Sequence, residues 1–235
     1  MKKIWSVLFL GLFAVSMVQA VETSVKQFTL DDFYKMKVYN NFDVSYRQNA
    51  DSAGIVVIMA ATADIQHIEC VSKKGVLTIK YKGNCDKEQM QGSLIVYSTA
   101  LEYAENNGIG SIQISTPISG AAFKAKVMGN GSIMARQVDY GIVEASVIAG
   151  KGKIALAGKC REAEFTVTGS GQIESDRLMS RDVTCRIRGN GVIGCYATQK
   201  LNARATGNGE VYYRGTPEIS KLALGELSIR SLEGL

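Results

Sequence analysis

Proline and histidine are scarce in this chain of 235 residues, which has two prolines and a single histidine, His67. One histidine cannot supply the ligand set of a zinc site, and it gives the serines and cysteines no nearby general base. Glycine is abundant instead, with 24 residues. Many glycines with almost no proline are typical of a β-protein with tight corners, and the absence of a three-residue period excludes collagen.

The N-terminal segment has the pattern of a signal peptide. Two lysines follow Met1, an uncharged apolar run extends from Ile4 to Val18, and small residues fit cleavage after Ala20. The run is shorter than the about 20 residues that a spanning helix needs. We therefore predict a signal peptide over 1–20 and a mature chain without a transmembrane segment. The mature chain would be exported to the periplasm, the outer cell surface or the medium.

The mature chain has a small net charge and an odd number of cysteines. Loss of the two lysines leaves 25 basic residues against 22 acidic ones, so the net charge falls from +5 to +3. Nucleic-acid binding needs clustered lysine and arginine, so we predict no nucleic-acid partner. An odd count leaves at least one thiol unpaired, and the pairing stays open. The cysteines are Cys70, Cys85, Cys160, Cys185 and Cys195.

A five-residue unit, Gly-x-Gly-x-Ile/Val, recurs every 18 to 21 residues. Six copies are intact, and in a seventh, which starts at Gly225, Leu227 replaces the second glycine. We interpret each glycine pair as a corner in which one or both residues adopt φ > 0, which a Cβ atom would penalise. The corner glycines are Gly108, Gly110, Gly129, Gly131, Gly150, Gly152, Gly169, Gly171, Gly189, Gly191, Gly207 and Gly209.

Residues at equal distances from the corners predict which side chains face the core. The fourth residue after the first glycine is always β-branched, which predicts a buried column: Ile112, Ile133, Ile154, Ile173, Ile193, Val211 and Ile229. The residue two before the first glycine is also predicted to point inward: Val127, Ile148, Val167, Ile187, Ala205 and Ala223. Asn106 interrupts this second column.

These patterns predict an all-β protein, a single-stranded parallel β-helix (solenoid) with about seven regular Gly-x-Gly coils. An antiparallel sandwich would not require one residue type in one column seven times. The crossover rule favours a right-handed coil. We expect the regular repeats over 106–235 and an irregular N-terminal β capping part over 21–105, the two forming one continuous solenoid.

The corners do not fit three glycine-rich ligand sites. A dinucleotide fingerprint needs a third glycine and a helix, a phosphate loop needs Gly-Lys-Ser/Thr, and a calcium-binding nonapeptide needs an aspartate after the glycine. We therefore predict no catalytic residue, no cofactor and no metal. The enzyme alternative is a polysaccharide lyase or hydrolase, which needs paired carboxylates. Glu174 and Asp176, two apart on one strand, are the candidates.

A ridge of threonine and arginine is the candidate ligand surface. Three residues before the corners lie Lys126, Thr166, Arg186 and Arg204, with Val147 interrupting the column, and one residue before lie Thr168, Arg188 and Thr206. Tyr196 and Tyr212 also have outward registers. Arg186, Arg188, Arg204, Tyr196 and Tyr212 would meet a glycan or a protein. An ordinary solvated β-face is the alternative.

The chain resembles a known family in three places. Strands surround Phe42-Asp43-Val44, a turn at Lys74-Gly75 leads into Leu77-Thr78-Ile79, and the last intact corner runs from Gly207 into a Tyr-x-Gly-x-Pro segment ending at Pro217. Together with the stacked corners, this pattern resembles the auto-transporter adhesin, head-GIN-domain family of bacterial exported proteins. The resemblance implies a β-helical fold and an adhesive role at the cell envelope, with no catalytic residues to carry over.

Three hypotheses about function follow. The first is an exported, non-enzymatic adhesion or binding module whose ligand is a glycan or a protein. The second is a carbohydrate-active enzyme that uses Glu174 and Asp176. The third is an envelope scaffold that associates with copies of itself as a homo-oligomer.

Overall fold

The computed structural model describes residues 22–83 and 90–233, and this part of the chain forms strands and one short 3-10 turn (Ile65–His67). The predicted signal peptide and Cys85 lie outside the described residues. The strands are β1 (Thr23–Thr29), β2 (Lys35–Asn40), β3 (Phe42–Gln48), β4 (Ile55–Ala61), β5 (Ile68–Lys73), β6 (Val76–Tyr81), β7 (Gly92–Ser98), β8 (Tyr103–Gly108), β9 (Ser111–Ile114), β10 (Ile118–Met128), β11 (Ser132–Ile148), β12 (Lys153–Gly169), β13 (Gln172–Gly189), β14 (Val192–Thr206), β15 (Gly209–Arg214), β16 (Glu218–Leu224) and β17 (Leu227–Ser231).

The strands form a β-solenoid of about six turns with parallel stacked coils, which confirms the predicted fold class. Each of β10 to β14 pairs in parallel with the next strand in sequence. β14 pairs in parallel with two shorter strands, through residues 192–196 with β15 and through residues 200–206 with β16. β17 pairs with β15 at the end of the stack.

Each long strand bends twice, so a coil has three faces. In β11 the buried side chains alternate at every second residue, except for two steps of three, from Ala135 to Val138 and from Tyr140 to Val143. A step of three breaks the pleat and turns the chain. We call the segment after the glycine corner face 1 (132–135 in β11), the middle segment face 2 (138–140) and the segment before the next corner face 3 (142–148).

The core consists of stacked columns of aliphatic side chains. The column predicted from the fourth position is buried in six of its seven members, and the seventh, Ile229, is partly buried against the core. Cys185 and Cys195 are fully buried on either side of one corner. A hydrogen bond with Cys195, burial and the Cys195 charge raise the pKa of the Cys185 thiol well above its usual value. Both cysteines act as small core side chains.

The two glycines of a corner are needed for different reasons. Gly189 has φ +114°, a conformation that residues with a Cβ atom rarely adopt. Gly191 has no such constraint, but a Cβ atom there would lie 2.4 Å from Cγ1 of Val167 in the preceding coil. In the five corners that begin at Gly129, Gly150, Gly169, Gly189 and Gly207, the first glycine has positive φ and permits the turn, and the second lets the coils stack closely. The prediction of positive φ is wrong for the first corner, where neither Gly108 nor Gly110 has it; a Cβ atom at Gly108 would instead collide with the carbonyl oxygen of Asn40.

The corner after β11 contains one additional residue, and this corrects two predictions. Val147 pairs with Val127 and Val167 and is fully buried, whereas Ile148 faces outward and is half-buried. The outward column of Lys126 and Thr166 is continued by Ser146, so Val147 does not interrupt it. The insertion is accommodated by positive φ at both Ala149 (61°) and Gly150 (72°).

Asn106 interrupts the valine column because it closes the first corner with its side chain. It is fully buried, and its Nδ2 donates to the carbonyl oxygens of Gly110 (2.8 Å) and Ser132 (3.1 Å). Its Oδ1 accepts a hydrogen bond from the backbone N–H of Gly108 at 3.0 Å. These three bonds fix the first corner, whose Gly110 carbonyl oxygen also accepts a hydrogen bond from the backbone N–H of Ser132 at 3.1 Å.

The N-terminal end of the stack is less regular. The coil of β2 and β3 lies between β8 and β9 on one side and β6 and β7 on the other. Antiparallel strands follow, with β5 on β6, β4 on β7 and β1 on β4. Among residues 22–83 and 90–233 there is no helix long and apolar enough to span a membrane.

Candidate functional site

A shallow groove of about 270 Å³ lies on face 3 of the last three coils. Parallel register aligns its outward side chains into two columns, Arg186–Arg204–Leu222 and Arg188–Thr206–Leu224. The residues that line it are Arg186, Ile187, Arg188, Arg204, Ala205, Thr206, Leu222 and Leu224. We call this surface the arginine groove.

Two of the three guanidinium groups are available to a ligand. Arg186 forms an ion pair with Glu164 of the preceding coil. Arg188 and Arg204 are exposed and form no ion pair with any other described residue. Arg186 and Arg204 are direct neighbours on strands spaced about 4.8 Å apart. A bound anion relieves the repulsion between such neighbours, and the planar guanidinium matches carboxylate, sulfate or phosphate.

The structure brings the three predicted arginines together but separates them from the two predicted tyrosines. Tyr212 pairs with Gly194 on face 1. Tyr196 pairs with Arg214 and with Met179, which places it at the start of face 2. Faces 1 and 3 meet at the glycine corner with their inward side chains directed to the same core, so their outer surfaces point in different directions. The Tyr212 hydroxyl donates to Oε2 of Glu210 at 2.6 Å, and this bond raises the pKa of Tyr212.

The two candidate catalytic acids lie together in a different groove, of about 310 Å³, on face 1 and the following bend. Each is paired with a cation. Oε1 of Glu174 lies 2.7 Å from Nζ of Lys153, and Oδ2 of Asp176 lies 3.3 Å from Nε of Arg214. These pairs favour a solvated, charge-compensated face. No group of three or more His, Cys, Asp or Glu residues in the described part could hold a metal ion.

An acidic groove of about 270 Å³ occupies the middle of face 3 and was missed by the sequence analysis. Glu144 and Glu164 pair in register, as do Glu162 and Asp182. The extra residue before Gly150 places Glu144 and Glu164 at different distances from their corners, which hides the column in the sequence. Each of these four carboxylates also forms an ion pair with a lysine or an arginine, so the middle of face 3 is charge-compensated, whereas Arg188 and Arg204 leave uncompensated positive charge toward its C-terminal coils.

The fold has close counterparts among solved structures. A "putative adhesin" from Bacteroides fragilis has a TM-score of 0.81 at 21% identity, over 91% of this chain and 98% of its own. A "putative lipid binding protein" from Parabacteroides distasonis has a TM-score of 0.74 at 24% identity, over 90% and 97%. A "putative adhesin" from Parabacteroides merdae has a TM-score of 0.69 at 21% identity, over 90% and 97%. At these identities the likeness shows a shared fold.

No match was found among curated proteins. The family model described as "Putative auto-transporter adhesin, head GIN domain" matches residues 32–217, which is most of the chain. This match covers the N-terminal coils, all six intact corners and the segment that ends at Pro217. The family resemblance read from these motifs is thus confirmed, and the chain belongs to the auto-transporter adhesin, head GIN domain family.

Proposed function

We propose that this protein is an exported, non-enzymatic adhesion module that binds an anionic component of the cell envelope through the arginine groove. The observation that carries the proposal is the position of Arg188 and Arg204, which are exposed on adjacent coils and lack an ion-pair partner among the described residues. Membership of an adhesin family supports a binding role.

The rigidity of the solenoid supports the same role. Arg186, Arg188 and Arg204 project from strands whose inward neighbours, Ile187 and Ala205, are buried in the core. The spacing of the cations is thus set by the parallel ladder, and little order has to be gained on binding. An acidic glycan and an acidic protein segment both supply anionic groups for such a surface.

The contacts of Glu174 and Asp176 favour a binding module over a polysaccharide-cleaving enzyme. A general acid in a glycosidase has a raised pKa, which requires burial or a neighbouring negative charge. Here Glu174 forms an ion pair with Lys153 and Asp176 one with Arg214, and neither carboxylate is buried.

The test is a binding screen of the mature chain, residues 21–235, on an array of neutral and acidic glycans, with polyglutamate as a protein-like probe. We expect acidic probes to bind and Arg186→Gln/Arg188→Gln/Arg204→Gln to lose most of the binding. A charge-matched control, Arg161→Gln/Arg177→Gln/Arg181→Gln, changes exposed arginines outside the groove and should retain it. Equal binding by the two variants, or no binding to any acidic probe, would contradict the proposal.

A further inference from the structure

We infer that the C-terminal end of face 3 docks on a membrane surface that contains anionic phospholipid, an inference that rests on the proposed anion-binding role of the arginine groove. Its basis is a feature that anion binding alone does not explain. Leu222 and Leu224 are 63% and 75% exposed, and both line the groove beside the arginines. Contiguous exposed apolar surface rimmed by polar residues marks sites of interaction with proteins or membranes.

The leucines and the arginines are arranged as an interfacial surface requires. Leu222 continues the column of Arg204 and Arg186 onto β16, and Leu224 continues the column of Thr206 and Arg188. Since strands are spaced about 4.8 Å apart, the backbones that carry Arg204 on β14 and Arg188 on β13 lie about 5 and about 10 Å from β16. Peripheral proteins bury apolar side chains about 5 to 10 Å into the boundary between headgroups and acyl chains. Leucines at that depth leave the arginines level with the phosphates.

The uncompensated charge along face 3 sets the orientation. In the middle coils Glu144, Glu162, Glu164 and Asp182 each form an ion pair with a lysine or an arginine, whereas Arg188 and Arg204 in the C-terminal coils form none with another described residue. An anionic surface therefore attracts the C-terminal end of face 3, so the solenoid tilts with β16 toward the membrane. The unpaired backbone groups of β16 then stay in the hydrated headgroup layer, because only the two leucine side chains enter the hydrocarbon.

A second copy of the chain fits the same surface poorly. A symmetric dimer through face 3 would bring the arginine grooves of two chains together, and like charges at close range are destabilising. The opposite end of the stack exposes Lys26 on β1 and Lys73 on β5 beside Glu22 and Glu69, so it offers the groove no net anionic surface. An anionic surface is complementary to the groove, and another copy is not.

The experiment is cosedimentation of the mature chain with vesicles of phosphatidylcholine mixed with phosphatidylglycerol and with vesicles of phosphatidylcholine alone. We expect binding only to the anionic vesicles. Arg188→Gln/Arg204→Gln should weaken it about 25-fold, at about 5-fold for each arginine. Leu222→Ser/Leu224→Ser should weaken it at least about 10-fold, because the lost leucines no longer enter the acyl region.

Two controls keep the outcome interpretable. Val25→Ser/Ile109→Ser removes two exposed apolar side chains far from the groove and should bind as the original chain does. Both leucines are exposed, so unchanged thermal melting of the leucine variant shows that it folds. The same variants are also measured on the acidic glycans and polyglutamate of the previous test.

The outcomes separate this inference from the proposed function. Vesicle binding that requires both arginines and leucines supports the inference. Binding of acidic glycans that requires the arginines, without vesicle binding, overturns it but leaves the adhesion proposal intact. Vesicle binding unaffected by the leucine change also overturns it. A dimer in light scattering that Leu222→Ser/Leu224→Ser dissociates overturns it as well, because the leucines would then be covered by a second copy.

Discussion

The close packing of the coils around the second glycine of a corner predicts how much stability a substitution there removes. A Cβ atom at position 191 would lie 2.4 Å from Cγ1 and 2.9 Å from Cβ of Val167, about 1 Å closer than ordinary contact. The nearest backbone atom, the carbonyl oxygen of Gly171, is 3.4 Å away. The clash is thus with one side chain. Overpacking a closed core by one methyl group costs about 1–3 kcal/mol, and we expect Gly191→Ala to fall in that range.

The side-chain origin of this cost can be isolated with a double-mutant cycle measured by urea denaturation. Val167→Ala removes Cγ1, so the loss of stability in Gly191→Ala/Val167→Ala should be smaller than the sum of the single losses by about 1–2 kcal/mol. Gly189→Ala is the matched control. Its cost comes from φ +114° and from the Gly169 carbonyl oxygen at 2.7 Å, which Val167→Ala cannot relieve. Its coupling with Val167→Ala should be below about 0.5 kcal/mol.

Two results would refute this reasoning. The first is a Gly191→Ala variant as stable as the original chain, which would mean that the coils separate at no cost. The second is additivity of Gly191→Ala with Val167→Ala, which would place the strain in the backbone instead of in the contact between coils.

Three further predictions concern buried or charged side chains. Asn106→Ala removes the acceptor of the Gly108 N–H and the two hydrogen bonds that Nδ2 donates to carbonyl oxygens, and it should lower the unfolding free energy by about 1–3 kcal/mol in urea titrations; an unchanged value would contradict its role. Burial raises the pKa of Glu105, but hydrogen bonds from Tyr103 and Asn107 and the charges of Lys126 and Lys37 outweigh it and hold that pKa below its usual value. The charged Glu105 therefore contributes its full stabilisation at neutral pH, and this stabilisation is lost as the pH falls below about 4.5. Glu105→Gln should make the free energy of unfolding fall less steeply as the pH decreases through this range. An equally steep fall would exclude Glu105 as its source. Glu174→Gln/Asp176→Asn should change stability by less than about 1 kcal/mol, because both ion pairs are largely exposed, and should leave reducing-end release from polysaccharides at background; release that this variant abolishes would establish the enzyme.

The solenoid could be predicted from the sequence because its two signals are local. Period-two alternation places Ile133 and Ile154 on the same side of their strands, and a nearly constant repeat length stacks them. The three faces were not predicted, because the bends depend on two steps of three in an otherwise alternating pattern. Tyr140 and Val143 show this spacing, but no glycine or proline marks the turn in every coil.

The ligand surface was predicted only in part for a related reason. The outward registers of Arg204 and Tyr212 show that both side chains point away from the core. They do not show that a glycine corner lies between the two residues and places them on different faces. The extra residue at Ala149 also shifted one coil relative to the others, which reversed the assignments of Val147 and Ile148. The exposed leucines of β16 carried no sequence signal, because their exposure results from the end of the stack and not from their spacing.

The most direct test of the account is the binding of the fluorescently labelled mature chain to intact bacterial cells, which assumes no ligand class. Three proteins are compared: the original chain, Arg186→Gln/Arg188→Gln/Arg204→Gln, and the charge-matched Arg161→Gln/Arg177→Gln/Arg181→Gln. We predict that the groove variant loses at least about 10-fold in affinity, since each guanidinium contact to an anion is worth about 1 kcal/mol or more, and that the control retains its affinity. Equal binding by all three proteins would contradict it.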